Sequence, residues 1–184
     1  MEFLNSQLHT AHSALYFDME FLYQLEDLKK FNEKVQIEAH FEKSSVSLKD
    51  LQKFYNQFSG ADSFVFSSDF KGKVADFSLF DFKLSKEDAL LVEGNYHLTN
   101  VHSSLLDYKI TGTTEQLKTN SANLRSLFPN VLGKRLPAYL DDFGQFTVKG
   151  STSLSPQKLQ LEKFKIECGL GSATLDVGFS NLDT

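Results

Sequence analysis

The sequence predicts a mainly β protein, a long antiparallel sheet with one apolar and one wet face and only short helices. Three observations predict it. Apolar and polar residues alternate at period two in many separate runs, the signature of strands with one covered and one wet face. Helical spacing of apolar residues is confined to a few short segments. Unbroken Val/Ile/Leu runs, which a buried parallel sheet would show, are missing.

In chain order, the stretch Met19 to Phe31 reads two ways. Phe21, Leu22, Leu25 and Leu28 suit an amphipathic helix, while Leu15 to Tyr23 equally suits a strand running into a loop. Val35, Ile37, Ala39 and Phe41 then alternate with Gln36, Glu38 and His40. Leu48–Phe58 spaces its apolar residues at helical intervals, and Gly60 supplies a stop. Phe64, Phe66, Ser68, Phe70 and Gly72 form the next alternating set, followed by a strand from Phe77 to Leu84. Leu90, Val92, Gly94, Tyr96 and Leu98 make another, then Tyr108, Ile110 and Gly112. A second helix is predicted over Ala122–Phe128, where Pro129 interrupts it. Phe146, Val148 and Gly150, then Leu159 to Ile166, then Leu175, Val177 and Phe179 complete the strands.

The elements recur in order. Gly72 in Phe70-Lys71-Gly72 and Gly150 in Val148-Lys149-Gly150 lie 78 residues apart, and Leu48 and Leu124 in the two helices lie 76 apart. Two tandem units are therefore expected, roughly 1–84 and 85–184, in one continuous sheet with no linker between them. The Lys-Gly pairs read as a solvent-facing Lys beside an inward Gly that lets the sheet bend.

Composition narrows the function. Across 184 residues, 19 Lys+Arg stand against 24 Asp+Glu, a net charge of −5 with no basic run, which argues against nucleic acid as a partner. No apolar stretch is long enough for a membrane-spanning helix, and no secretory leader is evident. The single cysteine, Cys168, excludes an internal disulfide and reads as a buried small hydrophobe. His9, His12, His40, His97 and His102 have no acid pair or cysteine cluster at ligand spacing and read as surface histidines. Glu26-Asp27 and Asp141-Asp142 lack the spacing of a calcium loop and read as solvated acids. Gly169-Leu170-Gly171 reads as a turn, and no nucleophile-elbow, phosphate-loop or dinucleotide motif is present. No catalytic residue, metal ligand or cofactor is expected.

The chain carries 18 Phe and no Trp, and that apolar surface needs a destination. It can pack on a second sheet, line a filled barrel, or curl into a trough that holds an apolar ligand. Two or three short helices look too few to cover a sheet of roughly a dozen strands, which favours the trough. A β-sandwich acting as a structural or adhesive module, and a single-lipid carrier, stay open, since periodicity does not say what lies opposite a face.

Three stretches carry a resemblance: Ser47-Leu48-Lys49-Asp50-Leu51-Gln52-Lys53-Phe54-Tyr55, Phe70-Lys71-Gly72, and above all Leu127-Phe128-Pro129-Asn130-Val131-Leu132-Gly133-Lys134-Arg135-Leu136-Pro137. The run from Leu140 to Gly150 continues it. From about Leu48 to Thr184 the chain resembles the C-terminal region of the TamB (translocation and assembly module) family, one of the AsmA-like proteins akin to bridge-like lipid transfer proteins. The resemblance implies a taco-shaped sheet with an open hydrophobic groove, in a section of a longer protein of the periplasm of Gram-negative bacteria. That family's N-terminal membrane anchor and C-terminal conserved domain have no counterpart here. It further implies phospholipid acyl chains, the rest of the full-length envelope protein and an outer-membrane assembly-type barrel as partners. Parity and resemblance together nominate as groove lining Val35, Ile37, Phe41, Phe66, Phe70, Leu90, Val92, Tyr96, Ile110, Phe146, Val148, Leu161, Ile166, Val177 and Phe179.

Overall fold

A computed structural model describes residues 1–53, 60–101, 107–127 and 138–180. The chain folds into one ten-stranded antiparallel sheet whose spatial order is its chain order. The strands are β1 (Glu2–His9), β2 (Ala14–Leu22), β3 (Gln36–Ser47), β4 (Ser63–Lys73), β5 (Asp76–Lys86), β6 (Leu90–Thr99), β7 (Lys109–Asn120), β8 (Gln145–Leu154), β9 (Lys158–Cys168) and β10 (Gly171–Ser180). The sheet is not closed: β1 pairs only with β2, and β10 only with β9, among the described residues.

Helical structure is scarce. Three short helices, α1 (Phe31–Lys34), α2 (Leu48–Leu51) and α3 (Ser121–Leu127), join 3₁₀ segments at Leu25–Lys30 and Ala138–Phe143. The ambiguous stretch after Met19 therefore resolves as strand through Leu22 and helical turns from Leu25. The Asp27 carboxylate accepts from the Gln24 N–H at 2.8 Å, which starts the 3₁₀ turn. Ser47 ends β3 and caps α2, its hydroxyl accepting from the Lys49 N–H. Within the described residues α2 stops at Leu51, short of the expected Phe58, and residues 54–59 and Phe128 lie outside them. Because β3 and β7 run in the same direction, α2 and α3 follow them at the same end of the sheet.

Simple alternation fails in the middle of every odd-numbered strand. Each of β1, β3, β5, β7 and β9 carries one more residue than its neighbours between matched positions. Such a bulge shifts the phase of the side chains and bends the strand. In β5, Phe77 and Leu79 share a face with Phe82 and Leu84 rather than with Asp81; in β9, Leu159 and Leu161 share it with Phe164 and Ile166.

Three of the bulges have a common construction. Asn5, Asp81 and Lys163 adopt φ of 48°, 49° and 51°, a conformation uncommon outside glycine. The N–H freed at each is taken by a side chain on the following strand: Asp18 at 2.6 Å, Asn95 at 3.1 Å and Asp176 at 2.6 Å. Inward hydroxyls serve the same end elsewhere. Ser44 Oγ accepts from the Tyr16 N–H at 2.9 Å, and Ser68 Oγ donates to the Phe80 carbonyl at 3.0 Å. Buried Ser44 and Ser68 are thus satisfied.

The ladder also corrects one expectation. Gly72 lies at the end of β4 opposite Ile37 and Phe77, whereas Gly150 lies mid-strand opposite Thr114. The position in β4 that matches Gly150, just before the bulge of the preceding strand, is Ser68 opposite Phe41. The 78-residue spacing therefore does not relate equivalent positions. Both glycines do have positive φ, and a Cβ at Gly72 would fall 2.4 Å from the Asp76 carbonyl, so backbone proximity requires glycine there.

Replacing Asn95 by Ala removes the acceptor for the Asp81 N–H. The expected cost is about 1 kcal/mol, read as a lower urea midpoint; Asn95→Asp keeps the acceptor but replaces the N–H given to Glu115 with a like charge, so it recovers only part of the loss.

Candidate functional site

The candidate site is the apolar face. Matched positions run from Phe17, Met19 and Phe21 of β2 through Phe41, Ala39 and Ile37 of β3 to Ser68, Phe70 and Gly72 of β4. They continue through Leu79 and Phe77 of β5 and Tyr96 and Leu98 of β6 to Gly112 and Ile110 of β7. Thr152 and Leu154 of β8, Leu161 and Leu159 of β9, and Val177 and Phe179 of β10 complete the face. Every nominated strand residue falls on this face, and Val35 packs into it from just before β3. Leu161 and Ile166, an odd number of residues apart, share it only because the bulge at Lys163 intervenes.

Burial divides the nominated residues. Val35, Ile37, Leu90, Phe146 and Val148 are buried by protein, Val148 being 4% exposed. They are packing residues with little surface left for a ligand. Two clusters account for most of this burial. Leu48, Phe64 and Leu90 pack with Val46, Leu51, Leu84, Val92 and Leu117 beneath α2. Val35, Ile37 and Ala39 pack with Met19, Phe21, Phe41 and Phe70 at the opposite end of the strands. Phe41, Phe66, Phe70, Val92, Tyr96, Ile110, Leu161, Ile166 and Val177 stay half-buried, and Phe179 is 49% exposed.

Aromatic rings give the floor its relief. Phe17, Phe41 and Phe66 form a chain with centroids 5.8 and 5.5 Å apart, and Phe70 stacks on Phe77 at 4.6 Å. Phe82 meets Tyr96 edge-on at 5.7 Å, and Tyr96 lies over the inward Gly112. The Tyr96 hydroxyl finds Thr114 Oγ1 at 3.1 Å, and burial pushes its pKa up. Phe17, Met19, Phe21, Phe77, Leu79, Phe82, Phe164 and Leu175 belong to this face and were not nominated. A phase change in the alternation, apolar residues separated by three positions instead of two, is the signal that would have found those beyond the bulges.

The opposite face is mostly polar and carries ion pairs, with Leu4 and Phe80 exposed on it. Lys71 bonds Glu38 at 2.8 Å and Lys83 bonds Glu93 at 2.6 Å. Lys71 thus faces outward as expected. His40 and His97 also face outward: His40 Nδ1 lies 2.5 Å from Asp69, and His97 lies between Ser78 and Asp76. His9 packs edge-on against Tyr16, and His102 lies outside the described residues. An outward recess of about 360 Å³ beside His40 is lined by apolar Leu4 and Phe80 and by Lys71 as well as by Glu2, Asp18, Glu20, Glu38 and Asp69.

Acids expected to be merely solvated hold structure. Asp27 caps its turn and pairs with Lys34, while Asp141 accepts from Ser121 Oγ and from Arg125 at 2.5 Å, which lowers its pKa. Asp50 on α2 accepts from Ser13 at 2.6 Å and Thr10 at 2.5 Å, which holds its pKa down at about 2 and ties α2 to the β1–β2 turn. Cys168 is half-buried rather than fully buried, facing Phe146 and Gly171. No group of three or more metal-ligating side chains converges, and no helix is long and apolar enough to cross a membrane, among the described residues. Comparisons with protein-family models, curated proteins and solved structures returned no match.

Two predictions follow from the geometry. Val148→Asp places a charge among packed apolar groups and is expected to cost several kcal/mol or prevent folding, whereas Lys149→Asp stays within about 0.5 kcal/mol; chemical denaturation of the pair checks it. The hydrogen bond that His40 Nδ1 gives to the Asp69 carboxylate, helped by the charges of Asp69, Glu42 and Asp18, raises the pKa of His40 above 6.5. Its stabilisation is therefore full below pH 6.5 and is lost as pH rises through the folded value. Melting temperatures of the wild type and His40→Gln should differ most near about pH 5.5 and approach each other as the pH rises through the folded value.

Proposed function

We propose that this chain is a section of a lipid-carrying bridge in the periplasm of a Gram-negative cell envelope. Its apolar face would serve as the floor of an open groove along which phospholipids pass between inner and outer membranes, in support of outer-membrane assembly. The observation that carries the reading is a single apolar face shared by all the strands and only half-buried over much of its area. A contiguous apolar face left partly open across many strands is the kind of surface that marks a binding site. Mid-strand bulges on every odd strand supply the bending that a groove needs. The resemblance of residues 48–184 to the TamB family supplies the direction of the reading.

A repeat of four strands belongs to the same proposal. Strands β3–β6, with α2 after the first, would form one unit, and β7–β10, with α3 after the first, the next. The capped bulges in β1, β5 and β9, each four strands from the last, support that phase over a division near residue 84.

The mechanism is physical and needs no reacting group. Acyl chains would lie on Phe41, Phe66, Phe70, Tyr96, Ile110, Leu161, Val177 and Phe179, with head groups at the open edge. Leaving a bilayer for such a floor exchanges one apolar surrounding for another, avoiding roughly 0.8 kcal/mol for each CH₂ that water would otherwise meet. Many interchangeable contacts let a chain slide where one tight site would hold it.

Photo-crosslinking in the cell envelope tests the proposal. A photoreactive residue at Phe70, half-buried on the floor, should yield phospholipid adducts, while one at the outward Lys71 should not. Folded protein without adducts at either position would overturn the lipid reading in favour of a structural module.

A further inference from the structure

We propose that the free edge of β10 is a docking edge for an antiparallel β-strand of the β3 kind: alternating, with one extra residue at mid-length, and with a cationic side chain opposite Asp176. This goes beyond the lipid reading and does not depend on what the floor carries.

Among the described residues, β1 and β10 each have one edge without a paired strand, and the two edges are unlike. β1 is bent by its extra residue at Asn5 and carries Glu2. Bulges and charges of this sort blunt an edge against pairing. β10 runs ten residues without an extra residue of its own, and it contains no Lys, Arg or Pro. Its one charge, Asp176, turns an oxygen back to the Lys163 N–H on β9. An unprotected strand of this length presents a row of backbone donors and acceptors that another strand can satisfy.

What fits there is set by the strands that already do the same work. Asp176 holds the bulge of β9 as Asp18 of β2 holds that of β1 and Asn95 of β6 holds that of β5. On their other sides β2 and β6 each receive a strand with an extra residue, β3 and β7. The side chain opposite differs with the cap. Asp18 faces His40, whereas Asn95 faces Thr113 and gives an N–H to Glu115 at 3.2 Å. A carboxylate at position 176 would repel a glutamate placed as Glu115 is and favours a cation placed as His40 is. The flanking residues agree: Leu175, Val177 and Phe179 would receive an incoming Phe, Ala and Ile as Phe17, Met19 and Phe21 receive Phe41, Ala39 and Ile37. Phe179, now 49% exposed, would be covered.

The test adds a synthetic peptide of sequence 36–47 to the full chain and follows amide hydrogen exchange. Saturable binding with at least tenfold slower exchange at alternate β10 amides is expected. A peptide with His40→Glu should bind at least fivefold more weakly. Slowing at β1 instead of β10, equal binding of a scrambled peptide, or no binding overturns the proposal. So does finding the β10 amides already protected in a self-associated chain, since a second copy would then be the occupant.

Discussion

The structure depends on one device, the extra residue at the middle of each odd-numbered strand. Ten strands of ordinary alternation would make a twisted sheet without the added mid-strand bend, with two open edges and a broad apolar face, a form prone to edge pairing. One added residue on alternate strands bends each hairpin in the same place, so the bends align across the sheet. The freed backbone groups need partners. Asp18, Asn95 and Asp176 supply them from the wet face, and Ser44 and Ser68 from the apolar face. Small hydroxyl residues within an otherwise apolar surface, which look like interruptions, are what make the bends tolerable.

Packing is then a matter of the strand ends. The fully buried apolar residues gather under α2 and around Val35, at opposite ends of the strands. Asp50 ties α2 to the β1–β2 turn, and Thr119 at the end of β7 and Asn123 on α3 both donate to the Ala89 carbonyl at the β5–β6 turn. The same arrangement at both sites anchors the helices to the preceding hairpin. Between these sealed ends the face is left half-open, where rings such as Phe41, Phe66 and Phe70 contact one another instead of a covering layer. Stability and the proposed lipid floor thus occupy different parts of one surface, and substitutions at Val148 and at Phe70 test different things.

Much of the fold was legible in the sequence by itself. Alternation determined the strands from β3 onward, their antiparallel class and many of the apolar-facing residues, because side-chain direction in a strand is a local property with period two; it left β2 open between strand and helix and did not mark β1. Tertiary structure alone decided the rest. The phase shifts that bring Leu161 and Ile166 to one face, and that match Gly150 to Ser68 rather than Gly72, depend on pairing between strands. The burial of Val148, Leu90 and Val35 against the half-exposure of Phe41 and Val177 likewise depends on what lies above each residue. A side chain's parity is written along the chain, but its neighbours across the ladder and over the face are set only when distant strands meet.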